Sequence, residues 1–278
     1  MSKKRLTSLI LFLAAMIGLF LLLYPMVANL WNTRHSSQMI TAYNQQMDQM
    51  DEVSYQSYWD EADAYNKALD EMRGNVLTEE MQKRYESVLD VSGLGVMGYI
   101  EIPKIGVSLP IYHGTSAEVL QIGVGHVEWS SLPIGGEGTH CVLSGHRGLA
   151  SAKLFSDLPM MEEGDVFYIR VLNDLLTYQV DQITTVKPQE LENLKRVEGM
   201  DYCSLVTCTP YGINSHRLIV RGHRISNIIS KQTVTITSEA VRIDPMMVAG
   251  IEFSAFVVVM IVSVYIETGI KKIGRKKG

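Results

Sequence analysis

The longest hydrophobic runs of the chain lie at its two ends, outside a middle region of mixed composition. The first run, residues 6–28, is almost purely apolar and follows the basic residues 3–5. As a helix it would reach roughly 30 Å, enough to cross the hydrocarbon core of a bilayer. A cleaved signal peptide is the alternative, but this run is longer than the usual hydrophobic region of a signal peptide, and Met26-Val27-Ala28 is a poor cleavage site. We therefore expect a cytoplasmic tip and an uncleaved membrane anchor over residues 1–30.

The second apolar run, residues 246–266, predicts a C-terminal transmembrane helix with Glu252 near its outer end. A buried core helix is the alternative, and the length of the run and its basic flank argue against it. A basic tail follows over residues 267–278, so basic clusters lie at both chain ends. By the positive-inside rule, both termini are expected in the cytoplasm. The sequence thus predicts a two-pass protein of the cell membrane, with everything between the spans outside.

Residues 31–97 have the pattern of a helical region. Between Ser36 and Arg73, apolar residues recur at spacings of three and four among polar ones, which predicts one or two amphipathic helices packed by a single stripe. We interpret the Met and Tyr residues of this stripe as a packing face rather than a binding site. Arg73-Gly74-Asn75 is typical of a helix stop. The stripe consists of Ile40, Tyr43, Met47, Met50, Tyr58, Ala62, Tyr65, Leu69 and Met72.

Residues 98–226 change to short β-rich runs separated by Gly, Pro, Asn and Asp. Seven or so strands with few helical patterns predict a mainly β domain built as one closed or nearly closed barrel. A short helix is expected within residues 149–158, and residues 227–245 form a linker to the second span. The predicted strands are Tyr99–Ile102, Ser108–Tyr112, Cys141–Ser144, Val166–Val171, Leu175–Val186, Tyr202–Cys208 and Leu218–Arg224.

Composition narrows the classes of function. The chain has 278 residues, 46% of them hydrophobic, which is enough for one or two domains with a proper core. A net charge of -5 offers no basic face for nucleic acid. No CxxC pair, His-Glu-x-x-His or Asp-rich calcium loop occurs, so neither a metal nor another cofactor is expected. Three cysteines in an exported region are an odd number, which leaves at least one free thiol.

Cys208 is the candidate nucleophile. It ends an apolar run at the turn Thr209-Pro210-Tyr211-Gly212, where a cysteine can be partly exposed, as a reactive thiol must be. A core cysteine at a strand end is the alternative. Cys203 lies five positions earlier on the same predicted strand and so faces the opposite side. We expect Cys203 and Cys141 to be small buried residues, with a disulfide between them as the lesser alternative.

Arg217 opens the next apolar run and, in an antiparallel hairpin, would lie roughly opposite Cys208. Its guanidinium stays protonated, so it cannot act as a base, but its donors can stabilise an oxyanion or orient a carbonyl. Arg221 has the same strand parity and competes for this role, and both could instead be solvated arginines of the barrel surface.

A histidine would complete such a site, and the sequence has seven. His146 is the strongest candidate, because a predicted strand delivers it into a turn whose flanking glycines allow close approach of a substrate backbone. His126 is the alternative. His216 adjoins Arg217 but has the opposite parity. The other histidines are His35, His113, His140 and His223.

These residues and their surroundings resemble the sortases, and among them the class C, pilus-assembling type. The resemblance extends in the family's order over the whole β-rich domain and is carried by specific motifs. They are Gly98-Tyr-Ile-Glu-Ile-Pro103, Pro110-Ile-Tyr-His-Gly-Thr-Ser116, Gly125-His126, Ser130-Ser-Leu-Pro133, Leu143-Ser-Gly-His-Arg-Gly-Leu149, Leu154-Phe155 and the block 205–222.

The resemblance implies an eight-stranded sortase barrel with His146, Cys208 and Arg217 as the active site of a cysteine transpeptidase. Cys208 would cleave a Leu-Pro-x-Thr-Gly-like sorting signal of a pilin or surface protein and form a thioacyl enzyme. A lysine of another pilin would then resolve it by an isopeptide bond. His146 would act as general acid and base, and Arg217 would hold the oxyanion or substrate carbonyls. Two membrane spans around an exterior catalytic domain agree with this class on the Gram-positive cell surface.

One feature of the class is missing. Many class C sortases carry an Asp-Pro-aromatic lid motif, and nothing between Trp31 and Met97 contains it. The Asp244-Pro245 pair is followed by Met246 and abuts the second span. We therefore predict that no lid of that type covers Cys208.

Two alternatives to pilus assembly stay open. A sortase that attaches surface proteins to an amine of the cell-wall precursor would use the same residues. A membrane-tethered barrel that only binds peptides would leave Cys208, His146 and Arg217 with structural roles.

Overall fold

The computed structural model describes residues 3–72, 77–149 and 151–227, together with Ser254 and Val258. By its internal contacts the chain divides into two compact units, and the larger, Trp31–Thr233, contains the whole of the β-rich domain. The predicted second span, residues 246–266, lies outside the described residues except for Ser254 and Val258.

Three helices precede the barrel: α1 (Lys3–Gln49), α2 (Glu52–Glu71) and α3 (Glu79–Ser87). The anchor and the first part of the amphipathic stripe belong to one continuous helix, α1. From Phe12 onward α1 is long and apolar enough to cross a membrane, and it is the one such helix in the described part of the chain. Asp51 starts α2 by accepting a hydrogen bond from the Ser54 amide at 2.8 Å. The predicted stop at 73–75 lies outside the described residues.

The predicted stripe is a packing face. Tyr43, Tyr65 and Leu69 are buried in the same hydrophobic core as the barrel strands, and Tyr58 packs against its edge. The Tyr43 hydroxyl donates to the Met97 carbonyl at 3.2 Å and accepts from the Leu172 amide at 2.6 Å. Because both bonds reach the barrel, the helical region and the barrel form one core.

Eight strands close into a barrel in the order β1-β2-β3-β4-β7-β8-β6-β5. The pairs β2–β3 and β4–β7 are parallel, and the other neighbours are antiparallel. A short helix, α4 (Ala117–Ile122), joins β2 to β3. The strands are β1 (Val96–Ile102), β2 (Val107–His113), β3 (Val124–His126), β4 (Thr139–Ser144), β5 (Val166–Val171), β6 (Asp174–Val186), β7 (Asp201–Thr209) and β8 (His216–Ile225).

The mainly β prediction and seven strand positions are confirmed, and two local expectations differ. β3 was not predicted from the pattern, because its three residues are too few to show alternation. The described residues of 149–158 contain no α-helix, and a single 3₁₀ turn forms at Leu158–Met160 because Pro159 favours a helical start while the extended backbone of Met161 ends it.

Alternation along the strands separates Cys208 from the other two cysteines. Cys141 and Cys203 are register partners on β4 and β7 and are buried as free thiols inside the barrel. Burial raises the pKa of Cys203 well above its ordinary value, which keeps that thiol protonated. Cys208 lies on the opposite face of β7 and is partly exposed. Cys203 and Cys208 therefore lie on opposite faces of one strand, as predicted.

Candidate active site

The candidate site lies where three neighbouring strands meet at one end of the barrel. β4 and β7 run parallel and end together, and the antiparallel β8 starts beside them. His146 follows the last residue of β4 by two positions, Cys208 is next to the last residue of β7, and Arg217 is the second residue of β8. The topology thus brings all three predicted residues to the same edge of the sheet.

The register of β4 and β7 places His146 level with Cys208. Ser144 pairs with Val206, and beyond this pair the Gly145 amide still donates to the Val206 carbonyl at 3.0 Å. The Thr207 hydroxyl donates to the Gly145 carbonyl at 2.7 Å. Continuing this register by one more residue brings His146 opposite Cys208.

Cys208 and Arg217 face each other on the outer side of the barrel. They are direct register partners in the antiparallel β7–β8 pair, as the hairpin pattern predicted. The Arg217 guanidinium donates from Nη1 to the carbonyls of Asn214 and His216, both at 3.1 Å. These two bonds hold a permanent positive charge at the turn that follows the thiol.

His146 lies in a turn that is packed tightly from below. A side chain at Gly145 would meet the ring of Phe155 at 2.6 Å, so only glycine allows this approach. The Phe155 amide also donates to the His146 carbonyl at 3.1 Å. Burial lowers the pKa of His146 below its ordinary value of 6.5, because the charged imidazolium is poorly solvated there. At neutral pH the ring is therefore neutral and can accept a proton.

An apolar groove runs along the outer face of the sheet next to these residues. It has a volume of about 130 Å³ and reaches Arg217. Its floor is a small hydrophobic cluster, separate from the main core, that comprises Val142, Leu194, Val206 and Ile219. Trp129 borders one side, and residues 186–194, which start at the last residue of β6, border the other. An extended peptide that places apolar side chains in this groove would lead toward Arg217 and its partner Cys208.

His140 stabilises the wall of this groove that the segment between β6 and β7 forms. Burial lowers its pKa, so the ring is neutral. His140 Nδ1 donates to the Lys195 carbonyl at 2.9 Å, and Nε2 accepts from the Ser204 hydroxyl at 2.8 Å. These bonds hold the segment between β6 and β7 against the sheet.

The alternative candidates have structural partners. His126 is fully buried, with Nδ1 2.9 Å from the Tyr85 hydroxyl and Nε2 2.9 Å from the Ser131 carbonyl. Arg221 makes two hydrogen bonds to the Asp181 carboxylate, at 3.0 and 3.1 Å. Within the described residues no group of three or more His, Cys, Asp or Glu is arranged to hold a metal.

Two features of the site were not predicted from the sequence. Arg147 donates from Nη1 to the Thr209 hydroxyl at 3.0 Å, next to His146 and Cys208 respectively. His140 was one of seven histidines without a distinguishing pattern. No local signal identifies either residue, because both bonds depend on the parallel pairing of distant strands.

Comparison with known proteins identifies the family. The sortase domain signature matches residues 100–225, which include all three predicted site residues. The structure is similar to sortase C1 from Streptococcus agalactiae, with 50% identity and a TM-score of 0.65, over 68% of this chain and 99% of that one. The chain is a class C sortase. It is also similar to sortase C from Streptococcus pneumoniae, with 44% identity and a TM-score of 0.62, over 68% of this chain and 97% of that one.

More distant similarity reaches other classes of sortase. Sortase D of Bacillus subtilis is 32% identical over 132 residues, and sortase A of Streptococcus agalactiae is 31% identical over 131 residues. These matches cover 46% and 45% of this sortase and 64% and 53% of the two relatives. This sortase therefore matches about half to two thirds of the length of these relatives.

Proposed function

We propose that this sortase is a cysteine transpeptidase that cleaves a Leu-Pro-x-Thr-Gly-like sorting signal and joins the product to an amine. The observation that carries the proposal is the strand register that sets His146, Cys208 and Arg217 level at one end of the barrel, beside an apolar groove that Arg217 lines. A thiol, a proton carrier and a fixed cation at one strand edge are the groups that acyl transfer through a thioester requires.

The first half-reaction would form the thioester. The Cys208 sulfur attacks the threonine carbonyl of the signal, and the thiol proton passes to His146. Arg217 donates hydrogen bonds to the oxyanion of the tetrahedral intermediate. The carbon–nitrogen bond then breaks, and the imidazolium of His146 gives its proton to the leaving glycine amine.

The second half-reaction would transfer the acyl group. An incoming amine attacks the thioester carbonyl, and neutral His146 accepts a proton from that amine. The carbon–sulfur bond breaks, the sulfur leaves as the thiolate, and the imidazolium returns the proton to it. The low pKa of His146 favours this step at neutral pH because the ring starts as a free base.

We further propose that the amine is a lysine side chain of another pilin, so that the product is an isopeptide-linked polymer. Similarity to class C structures supports this choice, since the sortase C of Streptococcus pneumoniae is described as acting with specificity for pilin substrates. Anchoring to a cell-wall precursor amine is the alternative. The apolar start of α1 supports a membrane location, and we propose a catalytic domain outside the cell with both chain ends inside.

The full chain in detergent, incubated with a fluorogenic Leu-Pro-x-Thr-Gly peptide, tests the proposal. Wild type should cleave the Thr-Gly bond and show an acyl-enzyme mass, while Cys208→Ala should lose both. Cleavage that persists in Cys208→Ala would refute the enzymatic assignment. With a pilin as substrate, a ladder of high-mass species is expected, and attachment to a cell-wall amine alone would contradict polymerisation.

The absence of a lid stays a prediction. Cys208 is partly exposed, and residues 73–76 of the region that would contain a lid lie outside the described residues.

A further inference from the structure

The backbone pairing of β4 and β7 stops before it reaches the proposed catalytic residues. The last register pair is Ser144 with Val206, and the carbonyl of His146 bonds to the Phe155 amide, in its own loop. Two side-chain hydrogen bonds continue the same register past that point. Thr207 bonds to the Gly145 carbonyl, and Arg147 bonds to the Thr209 hydroxyl.

These two bonds flank His146 and Cys208 on both sides. Both join residues 62 positions apart, the same offset as between Ser144 and Val206. The bond of Thr207 to Gly145 comes one residue before His146 and Cys208, and the bond of Arg147 to Thr209 comes one residue after them. Beyond the backbone bond from Gly145 to Val206, the spacing between His146 and Cys208 therefore depends on these two side-chain bonds.

We propose that Arg147 is a positioning residue that holds His146 against Cys208 through Thr209. This inference rests on the proposed transpeptidase function and adds a residue to it. Arg147 acts on the turn rather than on substrate.

The environment of Arg147 supports this role. Its side chain is half-buried, and its Nε is buried without a hydrogen-bond partner in the described protein. A solvated surface arginine would keep that group in water, so burying it costs free energy that the bond to Thr209 helps to offset. The next residue, Gly148, lies against the ring of Tyr211, which would meet a side chain there at 2.8 Å. The turn carrying His146 is thus held to the β7–β8 turn by two successive residues.

Proton transfer explains why this bond would matter. A general base must lie within hydrogen-bond reach of the proton that it moves, and a displacement of about 1 Å can lower the rate on the order of 100-fold. If Arg147 is removed, the bond of Thr207 to Gly145 still holds the first side of the turn. We therefore expect a partial loss of activity.

A double-mutant cycle on the full chain tests the proposal. Arg147→Ala and Thr209→Val should each lower kcat for peptide cleavage by about 10-fold with little change in KM, and the double variant should be no worse than either. Arg147→Lys should recover part of the activity, because an ammonium can still donate to the hydroxyl. Lys153→Ala is the matched control: it removes a cation of the same loop whose ion pair, 2.6 Å to Asp157, is local, and its kcat should stay at the wild-type value.

Three results of this cycle would overturn the proposal. Thr209→Val could keep the wild-type kcat, the effects of the two single substitutions could multiply in the double variant, or Arg147→Ala could raise KM alone. The last result would indicate a substrate contact instead of a positioning bond.

Alkylation of Cys208 by iodoacetamide, followed against pH, gives a readout that needs no substrate. His146→Ala should slow the alkylation at neutral pH, because the neutral ring that accepts the thiol proton is lost, and Arg147→Ala should slow it in the same direction. An Arg147→Ala rate identical to wild type across the pH range, or no slowing in His146→Ala, would overturn the positioning role. Failure of the wild type to cleave peptide would refute the proposed function separately.

Discussion

At the scale of single residues, burial sets the protonation of the histidines near the groove. His146 and His140 both have a lowered pKa, and burial is the main cause in each case. His140 uses its neutral ring for structure, whereas the site gives His146 a thiol-bearing neighbour. Burial thus keeps both rings neutral, which serves a structural hydrogen bond at His140 and the proposed proton transfer at His146.

The titration of His146 is therefore expected to have its midpoint below 6.5, the ordinary value. Because the folded pKa is depressed, the neutral ring should persist as the pH falls through 6.5, and protonation should follow only at lower pH. NMR of ¹³Cε1-labelled histidine measures this midpoint directly, with the signal assigned by its loss in His146→Gln. A midpoint at or above 6.5 would contradict the effect of burial.

The lowered pKa values of His146 and His140 also make the free energy of unfolding depend on pH. Between the lowered folded pKa and 6.5, the unfolded chain binds more protons than the folded one at these two histidines. Their contribution to the free energy of unfolding is complete above 6.5 and is lost as the pH falls through the folded pKa values.

At the scale of elements, the groove is formed by a β-sheet face and a segment that is not a strand. The sheet supplies the floor, while the segment between β6 and β7 reaches that floor through Leu194 and is fastened by His140. Sheet residues are held by the backbone pairing of neighbouring strands, whereas this wall is held through Leu194 and the bond of His140 to Lys195. Substrate affinity should therefore be more sensitive to the wall than to the rest of the site.

His140→Ala should raise KM for the signal peptide several-fold and leave kcat nearly unchanged. The loss frees the Lys195 carbonyl and leaves the buried Ser204 hydroxyl without its partner, which costs about 1–3 kcal/mol of stability. Steady-state kinetics on the full chain measure the two constants. Lys195→Ala is the matched control, because His140 binds the main-chain carbonyl while the Lys195 side chain makes an exposed ion pair with Glu192. A fall in kcat with constant KM would contradict this view of the wall.

Local pattern predicted seven of the eight strands and the Cys208–Arg217 pairing, but not the contacts between distant strands. Alternation and turn residues identify a strand of six or more residues, and a hairpin fixes which residues face each other within it. The parallel pairing of β4 with β7 joins residues 62 positions apart, and nothing in either strand specifies that partner. For this reason His146 could be selected only by its glycine-flanked turn and by family resemblance, while the bonds of Arg147 and His140 were not predicted.

At the scale of the whole molecule, the helical region is part of the core of the barrel domain. The family signature starts at residue 100, yet Tyr43, Tyr65 and Tyr85 are fully buried in the core that the barrel strands share. The structural similarity to sortase C1 covers 68% of the chain and so extends beyond the signature. Helices α2 and α3 and the C-terminal part of α1 should therefore unfold together with the barrel.

Tyr43→Phe tests this cooperativity. The variant removes the hydroxyl that bonds to Met97 and Leu172, so a buried carbonyl and a buried amide lose their partner, at a cost of about 1–3 kcal/mol. For a domain of this size the melting temperature should fall by roughly 2–4 °C per kcal/mol. Tyr55→Phe is the matched control, since it removes one part-buried hydrogen bond of 2.9 Å, to Asp174, and should shift the transition less. Thermal unfolding of the full chain in detergent, followed by far-ultraviolet circular dichroism and by tryptophan fluorescence, should give coincident transitions that move down together. If the helical signal melted first and Tyr43→Phe did not shift the later transition of the barrel, the helical region would unfold independently. The shared core would then not be the cooperative unit.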